Sequence, residues 1–303
     1  MSISGEKIKA KAKESGFDFC GIAKAEPLEE LRSFYESYIA QKNHRQLNYL
    51  KTQLENRLNP LLLLPGARSV IALLLNYYPP ETIPEEDNFI IAKYAYGKDY
   101  HPLMKKKMNE LIAFIKKEYG EVKEKIFVDS GAFLEKTWAQ KCGTGWQGKN
   151  TLLINRTAGS FFFIGIILTD LELEPDQPEQ DHCGSCRKCQ DACPTGALSH
   201  PYQLDISRCT SYHTIESKKE IPEELKGKFL DRIYGCDICQ DVCPFNSFSK
   251  PHHEADLLIN QQVLKMRKKD WIDLTPELFT ELFTGTPVER VGYDKLMRTI
   301  KKI

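Results

Sequence analysis

The chain has 303 residues, of which 41% are hydrophobic, so it can form a sizeable core as one large domain or as two. Lysine and arginine together number 42, as do aspartate and glutamate, so the formal net charge is zero. This balance excludes a protein that is strongly basic throughout, the usual electrostatic signature of nucleic-acid-binding domains. No apolar run reaches the roughly 18 residues of a membrane span, and the polar N-terminal residues lack the apolar core of an export signal.

The first part of the chain alternates between helix patterns and strand patterns. Apolar residues recur at helical spacing in four segments: 4–15, 28–41, 102–118 and 134–141. Strand-length apolar runs occur in five segments: 17–23, 69–76, 125–129, 151–155 and 161–169. This alternation predicts an α/β (α+β) domain with a central sheet that is large enough to enclose a cofactor.

An acidic linker with two prolines, residues 172–181, ends this first region. A cysteine-rich segment follows, and beyond it the pattern predicts helices at 276–282 and 294–303, the second of them basic and amphipathic. We therefore divide the chain into three units, a catalytic domain, a cysteine module and a short helical C-terminal region: 1–171, 172–250 and 251–303.

Eight of the ten cysteines follow the order C-x2-C-x2-C-x3-C-P, a single cysteine, then C-x2-C-x3-C-P. In bacterial proteins with two [4Fe–4S] clusters, the fourth cysteine of such a run ligates the other cluster. On this pattern the first tetrad, which holds one cluster, consists of Cys183, Cys186, Cys189 and Cys243. The second tetrad consists of Cys209, Cys236, Cys239 and Cys193. The spacing thus predicts a protein that moves single electrons.

Two other uses of the cysteines fit less well. A disulfide framework is typical of short secreted chains. Zinc sites need four ligands per ion and do not need the prolines that follow Cys193 and Cys243. Thiolates that are free to bind metal also indicate a reducing compartment, so we expect the protein to be cytoplasmic.

Three segments ahead of the cysteines have unusual composition: 93–101 (KYAYGKDYH), 128–131 (VDSG) and 143–150 (GTGWQGKN). Asp129 follows an apolar strand, and a carboxyl group beside an apolar pocket can stay protonated and serve as a general acid. The alternative is an Asx turn, or the N-cap of the helix that begins near Phe133. The glycines of the third segment allow close approach of a ligand.

Some motif matches fail. The segment GTGWQG follows a helix and precedes a strand, which is the reverse of the order in dinucleotide-binding folds. Asp99 and His101 begin a D-x-H-x-x-G pattern like that of proteins that bind cobalt through histidine, but Met104 replaces its glycine. We therefore expect no protein ligand to cobalt. Cys20 and Cys142 are expected to be small buried hydrophobic residues.

Five blocks of the sequence together resemble the epoxyqueuosine reductase family: YAYGKDYH, VDSGAFLEKTWAQKCGTGWQGKN, CGSCRKCQDACPTGAL, RCTSYHTIE and YGCDICQDVCPFN. The resemblance implies a nitroreductase-like cobalamin-binding domain followed by a bacterial two-[4Fe–4S] ferredoxin-like module. It also implies reduction of epoxyqueuosine to queuosine at the tRNA wobble position by cob(I)alamin, which the two clusters feed with electrons. Asp129 matches the family's catalytic aspartate, expected to protonate the epoxide oxygen.

The same resemblance implies which residues line the corrinoid: Arg57, Ala92, Asp129, Ser211 and Asp237. Ala92 is expected to make its contact through the backbone. For Arg57 the alternative is a surface salt bridge. For Ser211 and Asp237 it is local capping around the cluster loops.

The implied partners are the anticodon stem-loop of tRNA and a low-potential electron donor, and we expect a monomer without membrane association. Family members usually continue into a helical-repeat domain, so the chain is similar to a C-terminally short member, which leaves its tRNA affinity open. Two alternatives remain at this point, a reductive dehalogenase-like enzyme for a small organohalide and a non-catalytic electron carrier. The long segment ahead of the cysteines and the Asp129 block favour the reductase.

Overall fold

The computed structural model describes residues 3–40 and 49–303. The strands are β1 (Phe19–Lys24), β2 (Ser69–Asn76), β3 (Ile90–Ile91), β4 (Glu124–Phe127), β5 (Trp146–Gln147), β6 (Leu153–Ile154), β7 (Phe162–Thr169) and β8 (Arg232–Tyr234). The helices are α1 (Glu6–Glu14), α2 (Arg32–Ala40), α3 (Tyr49–Thr52), α4 (Leu54–Leu58), α5 (Tyr100–Tyr119), α6 (Glu135–Lys141), α7 (Lys188–Asp191), α8 (Ile238–Asp241), α9 (Gln261–Lys265), α10 (Lys268–Ile272), α11 (Pro276–Phe283) and α12 (Gly292–Ile300). The predicted helices correspond to α1, α2, α5, α6, α11 and α12; residue 41, the predicted end of the second, lies outside the described residues.

The main sheet has four antiparallel strands in the order β1-β2-β7-β4. Four of the five predicted strands form it. The predicted strand at 151–155 shortens to β6 and pairs with β5 in a separate hairpin, because Thr151 has a φ of 64°, which an extended strand does not allow. The predicted strand at 125–129 likewise ends at Phe127, before Asp129, whose φ is 46°.

Each face of the main sheet carries its own core, which explains why β2 is apolar at nearly every position. On one face Ile71 and Leu73 join a cluster with residues of α1 and α5. On the other face Ala72 and Leu74 join a cluster that includes Trp138 of α6. The result is a layered α/β domain, as predicted from the alternating pattern.

The longest helix of the described chain, α5, extends the predicted segment 102–118 by two residues at its start and by one at its end. The side chain of Asp99 caps its first turn by accepting a hydrogen bond from the backbone N–H of His101 at 3.0 Å. Gly120, with a φ of 87°, ends it. Neither α5 nor any other helix in the described part of the chain combines the length and the apolar character of a membrane span.

The C-terminal region packs into a third core rather than standing apart. Trp271 of α10 is fully buried, and its indole N–H donates to the side-chain oxygen of Asn88 at 2.9 Å. The same core contains Ile91 of β3 and Ile233 of β8, two short strands that pair in parallel. Residues on both sides of position 250 therefore share one core, while the boundary drawn there stays a prediction.

Candidate active site

A cavity of about 530 Å³ lies where the sheet domain, the cysteine module and the C-terminal region meet. This volume is within the range of sites that hold small molecules and cofactors. Aromatic and aliphatic residues form much of its wall, including Tyr77, Phe163 and Leu198. The cavity is thus mainly apolar, with a limited number of polar groups that could orient a ligand.

The eight cluster cysteines divide between this cavity and a much smaller one. One wall of the large cavity contains the whole second tetrad: Cys193, Cys209, Cys236 and Cys239. The cavity of about 40 Å³ is lined by the whole first tetrad: Cys183, Cys186, Cys189 and Cys243. The runs therefore exchange their fourth cysteines in space, as the spacing predicts. The grouping supports the crossed ligation, and it gives the second tetrad the position next to the large cavity.

The glycine-rich segment 143–150 lies mainly against the first tetrad. The indole N–H of Trp146 donates to the Cys183 sulfur at 3.5 Å. The Lys149 ammonium donates to the backbone carbonyl of Cys186 at 3.0 Å. A side chain at Gly145 would meet the carbonyl of Ile154 at 2.4 Å, so packing of the β5–β6 hairpin explains that glycine. The segment thus supports the cysteine loops, and Asn150 alone of its residues lines the large cavity.

Asp129 lines the large cavity from the loop after β4. Its side chain is exposed there, and the hydroxyl of Tyr100 donates a hydrogen bond to its Oδ2 at 2.8 Å. The residue at the N-cap of α6 is Leu134, which shows that the helix-cap alternative for Asp129 is wrong. Asp129 therefore presents a carboxyl group to the cavity, as its sequence position predicts.

Tyr100 holds Asp129 through a rigid aromatic stack. Its ring lies parallel to that of Phe163, with centroids 4.0 Å apart, and also stacks on His101 at 4.2 Å. Burial, together with the neighbouring Asp129 charge, raises the pKa of the Tyr100 phenol. The phenol therefore stays protonated and serves as a hydrogen-bond donor.

Two adjacent charged residues of α6, Glu135 and Lys136, were missed by the sequence reasoning. Burial, and then the charge of Asp129, raise the pKa of Glu135 to about 8. Lys136 also lines the cavity, and desolvation lowers the pKa of its ammonium group, which donates to the carbonyl of Thr151 at 2.8 Å. Their position in the block that begins with Asp129 was the only available signal.

Three of the residues expected to line the corrinoid, besides Asp129, do line the cavity: Ala92, Ser211 and Asp237. The backbone N–H of Lys93 donates to Oδ2 of Asp237 at 2.7 Å, and burial raises the pKa of this carboxyl group while Lys93 opposes the rise. The Asp237 carboxylate is therefore bound to a neighbouring loop rather than capping its own helix.

Arg57 has a different position from the other expected cofactor contacts. It is buried, so the surface salt-bridge alternative is wrong. Its guanidinium donates to the carbonyls of Gly131 at 3.2 Å and of Phe133 at 3.4 Å. Arg57 thus stabilises the loop that follows Asp129 through hydrogen bonds to its carbonyls. Its direct contact with a corrinoid stays a prediction.

The C-terminal region adds three wall residues that no sequence pattern predicted: Thr286, Pro287 and Arg290. The Arg290 guanidinium pairs with Glu216, which also lines the cavity. Tyr234 of β8 fixes the segment by donating to the carbonyl of Pro287 at 2.7 Å. A region expected to be a short helical tail therefore completes the site.

The fold and the two tetrads define the class of the protein, an iron–sulfur oxidoreductase with a large cavity beside one cluster site. A family model described as a 4Fe-4S double cluster binding domain matches residues 182–246. A second model, epoxyqueuosine reductase QueG, DUF1730, matches residues 57–130. The chain is 48% identical over 300 residues to the epoxyqueuosine reductase of Leadbetterella byssophila, covering 99% of this chain and 98% of the relative. The chain belongs to the epoxyqueuosine reductase family.

More distant relatives and solved structures agree with this assignment. The epoxyqueuosine reductase of Escherichia coli is 35% identical over 300 residues, with 97% of this chain and 79% of that protein covered. A crystal structure of epoxyqueuosine reductase with an epoxyqueuosine-modified tRNA-Tyr stem loop has a TM-score of 0.84 at 32% identity, with the same coverage of both chains. The Bacillus subtilis enzyme, with its catalytic loop swung out of the active site, has a TM-score of 0.85 at 31% identity, again covering 97% and 79%. The predicted fold class and family are confirmed.

Proposed function

We propose that this protein reduces epoxyqueuosine to queuosine at the wobble position of tRNA, with electrons that pass through two [4Fe–4S] clusters. The observation that carries the proposal is that the second tetrad and Asp129 line one cavity. A source of electrons and a source of protons thus open onto the same space. The family assignment gives this space its substrate.

The first tetrad suits the entry of electrons and the second their delivery. The second tetrad lines the large cavity, whereas the first lines the small one, so a donor's electrons reach the cavity by way of the second. We expect the donor to be a low-potential carrier that passes electrons singly, as the two clusters do.

The residues of the large cavity fit a corrinoid. The wall is mainly apolar, as a broad macrocycle requires, and it extends from the second tetrad to Asp129. Ala92, Ser211 and Asp237 would hold the group from the side of the cysteine module. Cobalamin, when bound and reduced to its cob(I) state, supplies the two-electron reduction that the cluster pair alone cannot perform in one step.

Asp129 supplies a proton to the departing oxygen. Removing the epoxide oxygen as water consumes two electrons and two protons and leaves an alkene. The Tyr100 hydroxyl fixes the Asp129 carboxyl group from one side, which keeps it directed into the cavity. An acid held at the reacting atom contributes about 10²- to 10⁴-fold in rate.

We infer that the substrate is presented on a tRNA anticodon stem-loop in the cytoplasm, and that the protein acts as a monomer. The related crystal structure with a modified tRNA-Tyr stem loop supports the first part. Because the net charge of the chain is zero, the tRNA must bind to local patches of positive charge.

The test uses anaerobically purified protein with both clusters. Titration with cob(II)alamin, followed by its absorption spectrum, measures binding of the corrinoid. Incubation with epoxyqueuosine-containing tRNA and a low-potential reductant then measures conversion to queuosine by mass spectrometry. We expect conversion only when cobalamin, reductant and protein are all present. Conversion that is equally fast without cobalamin, or none with every component present, contradicts the proposal.

A further inference from the structure

The proposed reaction consumes two protons, of which Asp129 delivers one. Glu135, the first residue of α6, lines the same cavity six residues further along the chain. The backbone N–H of Asp129 lies within reach of the Glu135 carboxyl group, and both residues line this cavity. We propose that Glu135 is a second proton donor of the epoxide reduction. This inference rests on the proposed function.

The groups around Glu135 come from four parts of the fold. Asp129 lies on the loop after β4, Tyr100 on α5, Arg57 on α4 and Lys136 on α6 itself. Burial and the Asp129 charge favour the neutral acid, and the backbone N–H of Asp129, Lys136 and Arg57 oppose them. The guanidinium of Arg57 is bound to two loop carbonyls, and the ammonium of Lys136 to a third.

The outcome of this competition is a glutamic acid that keeps its proton at neutral pH. The pKa of Glu135 is raised to about 8, whereas an ordinary glutamate is ionised at pH 7. Two carboxyl groups with different environments in one site are a recurrent arrangement for separate acid roles. Asp129 is exposed in the cavity and accepts a hydrogen bond from Tyr100, whereas Glu135 is half-buried and is the member of the pair whose pKa is raised.

The protons and electrons of the reaction then balance. Both C–O bonds of the epoxide break, the carbon–carbon double bond forms, and the oxygen leaves as water. A low-potential one-electron donor supplies the two electrons through the clusters. Asp129 supplies the first proton as the ring opens, and Glu135 supplies the second as the hydroxyl group departs. Both carboxylates are reprotonated from solvent before the next turnover.

A purely structural role for Glu135 makes a different prediction. A glutamate in the first turn of a helix stabilises the helix through its negative charge. That role needs the ionised form and would not affect the pH dependence of the chemical step. The pH profile therefore separates the two roles, because an acid that donates its proton is lost as the pH rises through its pKa.

The experiment measures single-turnover conversion of epoxyqueuosine in tRNA by the cluster-loaded, cobalamin-loaded protein from neutral to alkaline pH. For the wild type we expect the rate to fall as the pH rises past about 8. Glu135→Gln keeps the shape of the side chain but carries no acid proton. We expect it to lower the neutral-pH rate by about 10²-fold and to remove the fall near this pH. A Glu135→Gln protein with the wild-type rate and profile would overturn the inference.

Three controls make the result specific. Glu121→Gln changes an exposed glutamate of the loop before β4 and should leave rate and profile unchanged. Glu135→Asp retains a protonatable group and should retain an alkaline fall. Iron content and corrinoid absorption show whether each variant is loaded. Should Glu135→Gln fail to load, a wild-type rate that stays constant through pH 8 overturns the inference by itself.

The two proposals fail in different ways. If wild-type protein converts no epoxyqueuosine, the proposed function is wrong. If the wild type converts it and Asp129→Asn does not, while Glu135→Gln behaves as wild type, only the role of Glu135 is wrong.

Discussion

Asp129 has a left-handed backbone conformation, with a φ of 46°, directly after a buried strand. Aspartate adopts this conformation more readily than most residues, although the conformation costs free energy for every residue except glycine. The turn ends β4 two residues before Asp129 and leaves the carboxyl group in the cavity. The local backbone conformation thus shortens β4 and places the Asp129 carboxyl group in the cavity.

The hydrogen bond from Tyr100 to Asp129 should matter for the chemical step more than for binding. Tyr100→Phe keeps the stack on Phe163 and removes only the hydroxyl group. Loss of a hydrogen bond to a carboxylate costs about 1.5–3 kcal/mol, so we expect the single-turnover rate to fall roughly 10- to 100-fold.

Tyr119→Phe, at the other end of the same helix, is the matched control and should have the wild-type rate. A Tyr100→Phe protein that is slower only because it binds tRNA more weakly would argue against this role. Measurement of the rate at saturating tRNA distinguishes the two effects.

Single residues could be predicted from the sequence only where a local pattern carried the signal. Asp129 could be found because it follows an apolar strand. Glu135 and Tyr100 could not, since their importance depends on which side chains lie next to them in space. Arg290 is the extreme case, because its position in the wall depends on a core formed by residues far apart in the sequence.

Among the structural elements, the cysteine runs show how much short-range sequence spacing can predict. The runs carry α7 and α8, two short helices that lie side by side, and each run ends in a cysteine followed by proline. This repeated geometry lets each terminal cysteine reach the other run's site. The grouping of the cysteines around two cavities could be predicted because it depends on local backbone shape, and the crossed ligation of the clusters stays a prediction.

The exchange of the fourth cysteines is tested by a matched pair of variants. We expect Cys243→Ala to damage the cluster of the first run and Cys193→Ala that of the second, although each residue lies in the opposite run. Iron analysis and paramagnetic resonance of the reduced proteins should show loss of a different cluster in each case. Loss of the same-run cluster would contradict the crossed assignment.

The glycine-rich segment illustrates an element whose role was not predictable. Its composition suggested close approach of a ligand, and the structure instead brings Trp146 and Lys149 against the loop of the first tetrad. Glycines indicate only that the backbone approaches another group closely. The sequence does not say whether that neighbour is a ligand or, as at Gly145, another strand.

At the scale of the whole molecule, the C-terminal region joins the catalytic unit through a shared core. Residues around Asn88, β8 and Trp271 pack together. Arg290 of the C-terminal region lines the cavity. Amphipathic periodicity predicted the helices α11 and α12 correctly. It could not identify their partners, because the docking surface consists of segments scattered along the chain.

Loss of this core should weaken both the fold and the site. Trp271→Ala removes a fully buried side chain, and such truncations cost about 3–5 kcal/mol. We expect a lower unfolding temperature and a weaker affinity for cob(II)alamin, because the wall formed by Thr286 and Pro287 loosens. The neighbouring Ile272→Ala changes a side chain that is 57% exposed and should have little effect on either quantity. If Trp271→Ala lowers the unfolding temperature but leaves the cobalamin affinity unchanged, this core does not support the cavity wall.

In the proposed reaction, electrons from the second tetrad and a proton from Asp129 meet in one cavity to deoxygenate epoxyqueuosine. Asp129→Asn tests it most directly, since it preserves size and hydrogen bonding but removes the acid. In a single turnover with tRNA, the cluster-loaded and cobalamin-loaded variant should bind both partners normally. It should form queuosine about 10²- to 10⁴-fold more slowly than the wild type. Queuosine formation at the wild-type rate would show that Asp129 is not the proton donor.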